Sequence, residues 1–116
     1  MSAINPKVIE ELRGLQAGSP GFLVELIDLF LKEADILVAK LRDSLGARDA
    51  KGFERAAHTL KGSCGNLGAQ AMSRICADLQ AVGHAADWAR AGDLMPGLEA
   101  EFGTVKIELE TEKGRG

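Results

Sequence analysis

Between residues 22 and 46 apolar side chains return every three or four positions, at Leu23, Ile27, Phe30, Ala34, Leu37, Leu41 and Leu45. That spacing keeps one face of a helix apolar and predicts an amphipathic helix over about 20–46, opened by Ser19-Pro20 and stopped at Gly46. A second stripe, Phe53, Ala57, Leu60, Cys64 and Leu67, predicts a helix over about 49–67 with Asp49 as its cap. Met72, Ile75, Cys76, Leu79 and Val82 carry a third, over about 69–84, beginning after Gly68. Asp87 opens a fourth over about 87–112, through Trp88, Leu94, Leu98, Phe102, Val105 and Leu109. Asn5-Pro6 starts a short additional helix over about 5–16. Pro96 falls inside the last long segment, where its ring crowds the carbonyl of Gly92 and removes one hydrogen bond, so a kink is predicted there and not an end.

No run alternates apolar with polar residues, and β-branched residues are sparse. The fold class is therefore all-α: an up-and-down antiparallel four-helix bundle preceded by a short extra helix, the arrangement that buries all four stripes. The 116 residues suit one domain over 1–116, with its core bundle at about 19–112 and a tail, 113–116 in "TEKGRG", expected to fray. An apolar share of 46% with 27% charged residues belongs to a globular chain and argues against disorder. A net charge of -3 gives no strong field for nucleic acid or anionic lipid, so neither is expected as a partner. Nothing approaches the roughly 20 apolar residues of a membrane span, and "MSAINPKVIEE" has no signal-peptide core, which makes the cytoplasm the expected compartment. Cys64 and Cys76 are too few for a disulfide framework or a zinc site and sit on apolar stripes, where they read as small core residues.

Candidate chemistry concentrates in "AAHTLKGSCGNLGA", residues 56–69. With Phe53 at zero and about 100° per residue, the core stripe stays within about 40° of zero. His58 then lies at about 140°, Lys61 at about 80°, Gly65 at about 120° and Gly62 at about 180°, a single patch turned mostly toward solvent. A core histidine would share the apolar stripe, and His58 does not. Gly62 and Gly65 each weaken a helix by about 1 kcal/mol relative to alanine, yet they leave the patch bare where a large partner would approach. A solvent-facing imidazole is largely neutral and nucleophilic at pH 7, and a lysine one turn away both favours that form and balances a transferred phosphoryl group. The patch therefore suits phosphoryl acceptance, with positioning and Mg²⁺ supplied by a docked partner. A hydrolase using Cys64 or Ser63 with His58 fails on direction, because Cys64 points about 120° away around the helix. Ser63 reads as a helix-surface residue and His84, beside Gly83 near a helix end, as structural or incidental. A helical adaptor that docks such partners without taking phosphate predicts the same fold and patch.

At "AHTLKGSCGNLGAQAMSRICADLQ", residues 57–80, the sequence resembles the histidine-containing phosphotransfer (HPt) domains of multistep phosphorelays. The likeness extends more loosely from "PGFLVELIDLF" to "LEAEF" at 98–102. It implies a phosphocarrier and not an enzyme with its own kinase site. His58 would accept the phosphoryl group on its outer ring nitrogen from a receiver-domain aspartate and pass it to another. Lys61 would support the phosphoryl charge, Gly62 would admit the receiver's loops, and Gln80 would orient the imidazole from the neighbouring helix. By position alone Gln80 lies at about 80° on the shoulder of its stripe, where a plain solvated glutamine would look the same. Implied partners are the receiver domains of response regulators and hybrid histidine kinases, with no metal or cofactor on this chain and Mg²⁺ on the receiver. Polar outer faces predict a monomer. Cys64 departs mildly from the family, where Ser or Ala is commoner.

Overall fold

The structure is a computed structural model that describes residues 3–19 and 21–115. Asn5 caps the first helix, α1 (Pro6–Leu15): its side chain accepts from the Lys7 N–H at 3.0 Å, and Pro6 takes the first position, where no donor is needed. A 3₁₀ turn, Gln16–Gly18, leads toward α2 (Phe22–Ala47), which opens at Gly21 with a left-handed φ of 86°. Pro20, expected as its first residue, lies outside the described residues. Asp49 caps α3 (Ala50–Asn66) through the Gly52 N–H at 3.0 Å, and Asp87 caps α5 (Trp88–Gly114) through the Arg90 N–H at 3.2 Å. Between α3 and α4 (Gln70–His84) the chain turns at Gly68, whose φ of 77° disfavours other residues. A Cβ at Gly68 would also sit 2.9 Å from Val8 Cβ, because the Asn5 N–H donates to the Gly68 carbonyl at 2.8 Å and draws α1 against this turn.

Each long helix packs on its neighbour in sequence, and α5 closes the ring against α2. With connections this short the four run up and down, and no strand occurs among the described residues. The four stripes meet in one core in which Leu23, Ile27, Leu41, Phe53, Leu60, Met72, Leu79, Leu98, Val105 and Leu109 are fully buried. Each large side chain buried in this way stabilises the fold by about 1.5–3 kcal/mol. Leu45, Ile75, Val82, Trp88 and Leu94 only border it. Trp88 meets Phe53 edge to face, with ring centroids 5.8 Å apart, and locks the start of α5 to the start of α3.

Pro96 does not end α5, which continues to Gly114. Residues 113 and 114, in the segment expected to fray, continue α5 as helix. Lys113 Nζ pairs with Asp28 of α2 at 2.6 Å, and Arg13 of α1 pairs with Glu112 at 2.6 Å, so the last turn is tied to two other helices. The hydrogen bond to Asp28 raises the Lys113 pKa.

Glycines in α3 and α4 serve opposite ends. A Cβ at Gly83 would stand 2.5 Å from Phe53 Cδ1, inside the core, whereas one at Gly62 would meet nothing within 4 Å. Gly83→Ala is expected to destabilise the fold by about 1–3 kcal/mol through overpacking. Gly62→Ala is expected to stabilise it by about 0.5–1 kcal/mol. Urea unfolding midpoints that move in the same direction for both variants would contradict this assignment.

Candidate functional site

The outward face of α3 carries the site. Its inward stripe, Phe53, Ala57, Leu60 and Cys64, is buried, which fixes the rotation of the helix and turns His58 to solvent. Gly62 and Gly65 share that exposed face, and a Cβ built on either touches nothing within 4 Å. Internal packing therefore gives no reason for either glycine. Lys61 is half-buried, and among the described residues no carboxylate lies within ion-pairing distance of it. Its backbone carbonyl accepts from Ser73 Oγ at 3.1 Å, which stitches this turn of α3 to α4.

His58 borders a shallow depression of about 370 Å³ in the crease between α3 and α4, lined by Lys51, Glu54, Arg55, His58 and Gln80. The half-buried Gln80 thus reaches the neighbourhood of the imidazole from α4, although no hydrogen bond joins the two side chains. Lys61, Gly62 and Gly65 continue the same face beyond the depression. Two cations here, Lys51 and Arg55, were missed from the sequence. They stand seven and three residues before His58, at helical spacing on the same face, so the signal was present.

Other candidates are placed elsewhere. Ser63 Oγ donates to Glu33 Oε1 on α2 at 3.0 Å and serves as a link between helices. Cys64 of α3 and Cys76 of α4 are both buried and free. The neighbouring Cys76 thiol and burial push the Cys64 thiol above its ordinary range, and its sulfur has no exposed surface from which to reach a substrate. His84 is not isolated: its Nδ1 lies 3.2 Å from Glu54 Oε2 across the crease. Among the described residues no group of three or more His, Cys, Asp or Glu side chains could hold a metal ion, and no helix is long and apolar enough to cross a membrane.

The family model described as Hpt domain matches residues 25–111. The chain belongs to this family. It is thereby a histidine phosphocarrier of multistep phosphorelays. It is similar to histidine-containing phosphotransfer protein 2 of Arabidopsis thaliana, with 27% identity over 104 residues covering 86% of this chain and 67% of that protein. Among solved structures, histidine-containing phosphotransfer protein B of Pseudomonas aeruginosa superposes with a TM-score of 0.86 at 28% identity, over 98% of this chain and 96% of that one. A maize histidine-containing phosphotransfer protein follows at 0.84 and 24% identity, over 94% and 86%, and speaks for the Hpt fold alone.

The buried thiol pair gives a check on this Hpt domain. Native protein is expected to resist alkylation of both cysteines over times in which the urea-unfolded chain is fully labelled. Mass spectrometry showing rapid native labelling of Cys64 would restore it as a candidate nucleophile.

Proposed function

We propose that His58 is the phosphoryl acceptor of this domain, taking the group from the aspartyl phosphate of a receiver domain and returning it to another receiver aspartate. The observation that carries this reading is the exposed His58 on a helix face that Gly62 and Gly65 leave without side chains, beside Lys61 with no competing carboxylate. In the forward step the outer ring nitrogen attacks phosphorus, the aspartyl P–O bond breaks and the receiver regains a free carboxylate. The reverse step restores the neutral imidazole.

Lys61 balances the added negative charge, and Lys51 and Arg55 extend the positive potential toward the start of α3. Gly62 provides clearance for the loops that surround the receiver's aspartate. Gln80 borders the same depression as His58 and orients the ring from α4 when the partner closes over it. Transfer of this kind is mostly positioning and charge stabilisation, so Mg²⁺ on the receiver suffices and the domain needs no kinase site of its own. The partners are receiver domains of response regulators or hybrid histidine kinases, met in the cytoplasm by a monomeric carrier.

Incubation with a phosphorylated receiver and Mg²⁺ is expected to yield an acid-labile phosphohistidine that His58→Gln abolishes. Equal labelling of the variant, or none of the native chain, would leave a non-phosphorylated docking adaptor as the better reading. Lys61→Ala is expected to slow transfer about tenfold, the worth of one charge-assisted hydrogen bond. Gly62→Glu is expected to keep the helical fold by circular dichroism and yet slow transfer, by bulk and by repulsion of the phosphoryl oxygens. Unchanged stopped-flow rates in Gly62→Glu would remove clearance as the reason for the glycine.

A further inference from the structure

Two depressions lie side by side in the crease between α3 and α4. The first holds His58, and the second is lined by Glu54, Ala77, Gln80, Ala81 and His84. Glu54 and Gln80 border both. Titratable side chains facing the pair of depressions are Lys51, Glu54, Arg55 and His58 from α3 and His84 from α4. Glu54 stands one helical turn before His58, close enough for a carboxylate there to swing toward the imidazole. It leans the other way: Oε2 lies 3.2 Å from His84 Nδ1, and no ion pair joins Glu54 to Lys51 or Arg55.

Folding stability is a poor explanation for this contact. His84 is 78% exposed and Glu54 36%, and a pair so open to water contributes little to the folded state. What it does decide is where the carboxylate sits. Swung toward His58, that charge would repel incoming phosphoryl oxygens and offset Lys51, Arg55 and Lys61. The contact is a hydrogen bond in the neutral tautomer that carries its proton on Nδ1 and an ion pair when the ring is protonated.

We propose that His84 is a positioning residue for His58: it draws the Glu54 carboxylate across the crease onto α4 and keeps negative charge away from the phosphoryl-accepting end of the depression. The proposal rests on the assignment of His58 as acceptor and names the residues that govern its local field.

The test uses the whole chain and phosphoramidate, a small donor that needs no docking surface. The outer ring nitrogen of His58 forms the new N–P bond as the donor's own P–N bond breaks, and ammonia leaves. At neutral pH, His84→Ala is expected to lower the rate of His58 labelling about two- to threefold, the scale of one screened charge, and Glu54→Gln, which removes a charge already held away, to leave it unchanged or raise it by less than that factor. In the Glu54→Gln background, His84→Ala is expected to have no further effect, and His84→Arg in the native background to restore the rate. A general structural role for His84 would show none of this dependence on Glu54. An unchanged rate in His84→Ala, an equal loss in the Glu54→Gln background, or no rescue by arginine would each overturn the proposal. No phosphohistidine on the native chain, or label that persists in His58→Gln, would instead overturn the assignment of His58 and this inference with it.

Discussion

The close approach of α3 to α4 is the constraint on which the site depends. It is made possible by small residues at the contact: Gly83 lies against the Phe53 ring, and Cys64 faces Cys76 where larger side chains would hold the helices apart. Because the two helices touch there, Gln80 and His84 share a crease with His58 and Glu54. The Ser73 hydroxyl donates to the Lys61 carbonyl and links the two helices beside the site. Packing at the core thus sets the electrostatic surroundings of a side chain that is itself in water.

The ends of the bundle are held by different means. Near Gly68 the chain reverses in a conformation that suits glycine, and α1 leans on that turn through the backbone of Asn5. At the same end of α1 the Glu108 carboxylate accepts from the N–H groups of Ala3 and Ile4. Farther along, Arg13 and Asp28 take hold of the last turns of α5. Ile4 and Ile9 are buried as a result, so the short first helix is part of the core and not an appendage.

Much of this was legible in the sequence. Periodicity located every long helix to within a few residues, and the rotation set by Phe53, Ala57, Leu60 and Cys64 was enough to put His58, Lys61, Gly62 and Gly65 on one outward face. The side chains on that face already suit phosphoryl acceptance, and the resemblance adds the receiver-domain partners and the role of Gln80. Features that depend on two helices at once stayed hidden. The contact between His84 and Glu54 needs the crossing of α3 and α4, and the tail's attachment needs Lys113 set against Asp28, far away in sequence. Lys51 and Arg55 lie on the same helical face as His58 but before the glycine-bearing turn, so the bare surface that marks the patch does not extend to them.

Gly62 and Gly65 have one more consequence. Solvent-facing glycines in mid-helix weaken α3 without any packing return, so the turn that follows His58 is one that selection for stability alone would fill with alanine. Such a change would improve the domain as a folded object while thickening the face a partner must approach. On the proposed docking of a receiver at this face, robustness and carrier activity pull these two positions in opposite directions.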